Sequence, residues 1–162
     1  MKEPRIPELS MQEMTDGLFQ ASHSIRRRHP KILHHQGAEF NRVFNFMMQD
    51  SYMQPHIHPG NEKIEEIYLI QGKIAVFFFN NQGAIGKCTL LEDGLGGFIE
   101  VPAFTWHTYV MLSESAITYE TMMGVYEPHT WKKFAEWAPK ENSFESLAYL
   151  HFLKEKAMSH LI

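Results

Sequence analysis

The chain has little with which to cross-link itself or to anchor itself. Among its 162 residues there is one cysteine, Cys88, so an intramolecular disulfide is excluded, which fits a reducing compartment. No window approaches the roughly 18 uninterrupted apolar residues of a membrane-spanning helix. The N-terminal Met1-Lys2-Glu3-Pro4-Arg5-Ile6-Pro7 lacks the apolar centre of a signal peptide, so a cytoplasmic location is expected. An excess of one charge is small too: 15 lysines and arginines stand against 19 aspartates and glutamates. A net charge of −4 gives no reason to expect nucleic acid or an anionic membrane as partner. No repeat, low-complexity tract or phosphate-cradling glycine motif appears, and Gly94 to Gly97 lacks the strand-to-helix setting that such a cradle needs.

What is present is apolar material in short strands. A hydrophobic fraction of 44% is ordinary for a folded domain, whereas 13% aromatic residues, twelve of them phenylalanine, is rich. Strand-like runs cover residues 39–49, 63–70, 73–79, 85–91, 98–101, 105–112 and 116–123, separated by turn signals such as Asp50-Ser51, Gln71-Gly72 and Asn80-Asn81-Gln82-Gly83. This punctuation predicts an all-β sandwich or barrel. Residues 8–23 read as a helix, with Pro7 suited to its start and Gly17 weakening it by about 1 kcal/mol relative to alanine. Residues 144–158 read as a second helix with Leu147, Leu150, Leu153 and Ala157 on its apolar stripe. The expected organisation is a single domain: an N-terminal helical extension (1–38), the β-barrel (39–124), and a C-terminal aromatic segment and helix packed on the barrel (125–162).

Ten histidines are more than usual, and only their spacing is informative. Pro55-His56-Ile57-His58-Pro59 places two imidazoles on one side of an extended segment. Glu65 follows seven residues after His58, and Gly72 seven after Glu65. Later come Gly96, Pro102, and His107 five residues after that proline. If these strands are neighbours, three neutral nitrogens and one anionic oxygen converge, a donor set that suits a divalent transition metal such as iron, manganese, nickel or zinc. Glu62 is the alternative carboxylate. Because the imidazoles must be unprotonated, metal binding is expected to weaken as pH falls through about 6 to 5.

These two stretches resemble the two motifs of the cupin superfamily, which implies a double-stranded β-helix and the ligand set His56, His58, Glu65 and His107. Two positions depart from the pattern: Phe104 and Met111 stand where glycine and asparagine are usual, so the turn before His107 is open to a different shape. Pro55-His56-Ile57-His58, Lys63, Glu65, Gly72, Phe79, Gly83, Val101-Pro102, Trp106-His107, Tyr119-Glu120 and Lys133-Phe134-Ala135-Glu136-Trp137-Ala138-Pro139 look like the WbuC family of small cupin-fold metalloproteins, as does the helix followed by Arg26 to His29. That resemblance implies a homodimer with one metal, associated with surface-polysaccharide metabolism.

Around the site the sequence offers weaker candidates. Tyr109 shares the strand face of His107, and either Tyr119 or Glu120 faces inward from the last strand. Arg26, Arg28 and Lys63 are candidates for an anionic substrate. Trp131, Phe134 and Trp137 are candidates for a lid. Tyr68 and Ile70, opposite in parity to Glu65, form an apolar outer face suited to a dimer. The expected function is a metal-dependent isomerase, lyase or dioxygenase acting on a small carbohydrate or sugar-acid derivative. The alternative is a non-catalytic, metal-dependent small-ligand binder or sensor. A third possibility is a barrel whose metal only stabilises the fold.

Overall fold

The computed structural model describes residues 6–95 and 97–159. Helix α1 (Met11–His23) leads into β1 (Arg28–Ile32) and β2 (Phe40–Met48). Then follow β3 (His56–Ile57), β4 (Glu65–Gln71), β5 (Lys73–Phe79), β6 (Ile85–Glu92), β7 (Phe98–Val101), β8 (His107–Met111) and β9 (Ser115–Met123). The short β10 (Lys133–Phe134) and helix α2 (Ser146–Ser159) complete the chain. The strands form two antiparallel five-stranded sheets, ordered β1-β2-β9-β4-β7 and β10-β3-β8-β5-β6. Gly96, part of the spacing read from the sequence, lies outside the described residues, as do residues 1–5 and 160–162. Among the described residues no helix is long and apolar enough to cross a membrane.

Both sheets are covered on both faces. Between them lie Met47, Met53, Ile67, Ile74, Val76, Tyr109 and Met111. The outer face of the first sheet, Phe44, Phe46, Ile117 and Tyr119, packs under Ala21 of α1. The outer face of the second, Phe77, Phe79 and Val110, packs under Leu150, Leu153 and Ala157 of α2. This layering explains why β5 reads as an unbroken apolar run: a strand buried on both sides has no polar face to alternate with. Each fully buried phenylalanine contributes about 2–3 kcal/mol by removal from water.

Helix α1 starts later than Pro7 suggests. Ser10 is its N-cap: Ser10 Oγ accepts from the Glu13 amide at 3.1 Å, and Glu13 Oε2 accepts from the Ser10 amide at 2.8 Å. This reciprocal pair satisfies two otherwise orphaned donors. Gly17 is no flaw in the helix. A Cβ there would lie 2.4 Å from Phe46 Cε1, so glycine lets α1 settle onto the aromatic face of the sheet. In α2 the buried stripe is Ser146, Leu150, Leu153 and Ala157, while Leu147 is 55% exposed.

The sheets draw on both flanking segments. Strand β1, within residues 1–38, is the edge of the first sheet, with Arg28 opposite Met47 and Ile32 opposite Val43. Strand β10, from the C-terminal segment, pairs Phe134 with His56. Tyr68 and Ile70 lie partly beneath the α1 layer rather than on a bare face.

Candidate metal centre

The site grows out of strand register. His56 on β3 stands opposite His107, the first residue of β8. His58 follows β3, and Glu65 opens β4, in register with Met122 on β9 and, one strand further, Asn41 on β2. Strand alternation sends Glu65 inward and Glu66 outward. All four groups are buried, with 2%, 3%, 7% and 2% of His56, His58, Glu65 and His107 exposed. Their ligand atoms lie within 4.8 Å of one another. Glu62, the alternative carboxylate, is exposed and stands apart from this group.

The backbone orients all three imidazoles alike. His56 Nδ1 meets the Gln54 carbonyl at 2.9 Å, His58 Nδ1 the Trp131 carbonyl at 2.8 Å, and His107 Nδ1 the Thr105 carbonyl at 2.8 Å. A carbonyl oxygen only accepts, so each Nδ1 carries the hydrogen and each neutral ring presents a lone pair at Nε2. Those lone pairs face a carboxylate: His107 Nε2 is 2.9 Å and His58 Nε2 3.4 Å from Glu65 Oε2. His58 Nε2 is fully buried without a hydrogen-bond partner. With the rings neutral, four acceptors converge, and a proton shared between His107 Nε2 and Glu65 Oε2 or a metal ion at their centre reconciles them. The donor set fits one transition-metal ion. Burial, with Lys132 and the other two imidazoles, holds His56 well below the ordinary histidine value. Burial works against ionisation of Glu65, but His107 and His58 outweigh it and hold the carboxyl well below the usual range.

The cavity in front of this group measures about 240 Å³, below the range typical of drug-sized ligands. Met53, Val43, Ile32 and Met122 supply apolar wall, and Tyr109, Glu120, Asn41, Asn45 and Lys132 supply polar groups. Of the last-strand pair, Glu120 faces inward, opposite Ile67 and Val43, while Tyr119 points outward and packs on Phe44 with ring centroids 5.1 Å apart. Tyr109 Oη donates to Glu120 Oε1, and Thr118 Oγ1 donates to the same oxygen at 2.9 Å. Burial and the Glu65 carboxylate raise Glu120 above the ordinary carboxyl value.

The candidate cations divide. Arg26 and Arg28 line the cavity, yet both are tied to Glu141, at 3.3 Å and 2.5 Å. Lys63 does not line it: its Nζ donates to the Thr130 carbonyl and lies 4.9 Å from the centre of the Trp131 ring. Of the lid aromatics, Trp131 walls the cavity. Trp137 packs on Phe79 and Trp106 on the far side of the second sheet, and Phe134 is 46% exposed. Sequence reasoning missed Lys132, Asn41 and Asn45. Lys132 sits in a Lys-Lys pair with no distinguishing neighbour, and its place follows from the pairing of β10 with β3. Asn41 and Asn45 share the parity of Met47 on β2, a weak signal that alternation could have supplied.

Solved structures with a similar fold include CapF in complex with 3-isopropenyl-tropolone (TM-score 0.57, 15% identity, covering 66% of this chain and 31% of that one). KdgF from Halomonas sp. is similar at a TM-score of 0.51 and 19% identity, over 63% of this chain and 83% of that one. Protein SO0799 from Shewanella oneidensis is similar at 0.55 and 8%, over 80% and 83%. The chain thus spans about a third of the length of CapF. At these identities the likeness is one of fold, a cupin-type jelly roll. None of the curated proteins compared matches the chain. A family model matches residues 9–91, half of the sequence, and the chain belongs to the family that it describes, Domain of unknown function (DUF6016).

Proposed function

We propose that this is a metal-dependent cupin acting on a small carbohydrate or sugar-acid derivative, similar to the WbuC proteins and serving surface-polysaccharide metabolism as a cytoplasmic homodimer. The observation that carries the reading is the convergence of three imidazole Nε2 atoms and the Glu65 carboxylate, with His58 Nε2 unpartnered, in one buried group. A divalent ion held by His56, His58, Glu65 and His107 supplies Lewis acidity towards an oxygen of the ligand. The chain supplies the rest. Met53, Val43 and Ile32 limit water, Trp131 both closes the wall and orients His58, and the small cavity selects by size. Glu120, bonded by the Tyr109 and Thr118 hydroxyls, is a buried carboxyl beside the donor set, placed to hold or accept a proton. That dyad favours turnover over binding without turnover, the second reading.

Elemental analysis of untagged protein, followed by incubation of the metal-loaded form with a library of sugars and sugar acids, tests the proposal. Bound metal and conversion of a library member are expected. Stoichiometric metal with tight binding but no conversion identifies a binder or sensor, and absence of metal removes the metal-dependent reading.

A further inference from the structure

Among the cations lining the cavity, Lys132 is the one that the described residues leave without a hydrogen bond or ion pair. Arg28 gives its guanidinium to Glu141 at 2.5 Å, the Tyr52 carbonyl at 3.1 Å and Ser51 Oγ at 3.3 Å. Arg26 gives its Nε to Glu141. Lys132 is half-buried and hemmed in by protein, and burial lowers its ammonium below the ordinary lysine value, with Glu65 and Glu120 opposing that shift and Arg28 and Arg26 adding to it. A lysine so placed has lost much of its hydration and gained no fixed counter-charge.

Loading the metal centre sharpens the imbalance. A divalent ion more than cancels Glu65. Even with Glu120 ionised, Lys132, Arg28, Arg26 and the ion then outweigh Glu65, Glu120 and Glu141, and the wall is net positive. A small, partly open cavity lined this way favours an anion. The opposite wall adds a second requirement. Asn41 Nδ2 donates to the Met122 carbonyl at 3.2 Å and to the Gly124 carbonyl, which fixes the amide and leaves Oδ1 buried with no donor. That oxygen can accept from a ligand hydroxyl. Asn41 lies two strands from Glu65 in the same row, about 10 Å away at the usual strand spacing.

We propose that Lys132 is the anion-binding residue of the cavity, and that the ligand is a small hydroxylated carboxylate whose anionic end lies between Lys132 and the His56, His58, Glu65, His107 group. The assignment rests on the metal-site reading for the second partner of the carboxylate, while the lysine contact stands on its own. It replaces Lys63, which faces away, and it demotes Arg26 and Arg28 from direct ligands to charges of the wall already paired with Glu141.

The test is calorimetric titration of the full chain, metal-loaded, with gluconate, lactate and malonate, using sorbitol as the neutral match of gluconate. At least one carboxylate should bind, sorbitol should not compete with it, and Lys132→Met should weaken that binding about tenfold or more while leaving metal content unchanged. Lys132→Arg should retain most of the affinity, and Lys132→Gln serves if the methionine variant does not fold. No binding by any carboxylate, equal binding of gluconate and sorbitol, or equal affinity in the charge-removing variant overturns the proposal. Metal analysis and a parallel titration of stripped protein separate the two readings. Protein that takes up no metal yet binds carboxylate through Lys132 removes the metal reading alone. Metal uptake with indifference to Lys132 removes the anion site alone.

Discussion

His107 Nε2 lies 2.9 Å from Glu65 Oε2, and with His107 Nδ1 hydrogen-bonded to the Thr105 carbonyl a neutral ring presents only a lone pair to the carboxylate. The contact is held by a proton or by a metal ion between the two atoms. Removing one partner should therefore remove the cation. His107→Ala protein is expected to lose most of its bound metal, read by elemental analysis after dialysis. Full retention would reject the ligand assignment.

Glu65→Gln should separate metal binding from stability. The amide can donate to His107 Nε2, which the carboxylate cannot do, and it removes a buried charge. Metal affinity should collapse, yet the metal-free variant should match or exceed metal-free wild type by about 1 kcal/mol in denaturant unfolding. The wild-type protein should be restored by metal, gaining about 2.7 kcal/mol when free metal stands at 100 times its dissociation constant. A metal-free variant far less stable than the metal-free wild type would contradict the acceptor-on-acceptor geometry.

Gly17→Ala tests packing against propensity. Alanine is the better helix former by about 1 kcal/mol, but its Cβ would meet the Phe46 ring at 2.4 Å, and Phe46 is 1% exposed with no room to turn. The substitution is expected to cost about 1–3 kcal/mol net, measured as a drop in the denaturation midpoint at unchanged m-value. A stabilised variant would show that α1 does not sit where the structure places it.

The Arg28–Glu141 pair sets an acid limit on stability. Burial opposes ionisation of Glu141, but Arg28 and Arg26 outweigh it and hold its carboxyl below the ordinary 4.5. A carboxyl with a folded value below its unfolded one stabilises fully above the unfolded value and loses that contribution as pH falls through the folded value. Stability should therefore fall with pH below about 4.5, and Glu141→Gln should flatten that part of the curve. At neutral pH the same variant should cost about 2 kcal/mol, because it leaves the Arg28 guanidinium, 8% exposed, with neutral acceptors only. An unchanged acid limb in the variant would show that other carboxyls govern it.

Much of the protein was legible in its residues. Turn dipeptides and alternation marked the strands from 39 to 123 to within two or three residues. His-x-His, Glu65 and His107 marked the four buried groups that could hold a metal, because ligands come from residue types that few structural roles demand at such spacing. Local signals also named both helices, although Ser10 and not Pro7 starts the first.

What the sequence by itself determined is therefore what depends on neighbours in the chain: strand and turn chemistry, the parity of each strand, and the chemical type of the site. What only the tertiary structure decided depends on partners far along it. Register chose Glu120 over Tyr119 for the interior, pairing with Glu141 neutralised the arginines, β10 carried Lys132 to the cavity, and Phe46 turned Gly17 from a weak point into a fitting surface. Periodicity reports which face a residue occupies, but the group that meets it there is set by packing between segments more than 25 residues apart in every one of these cases.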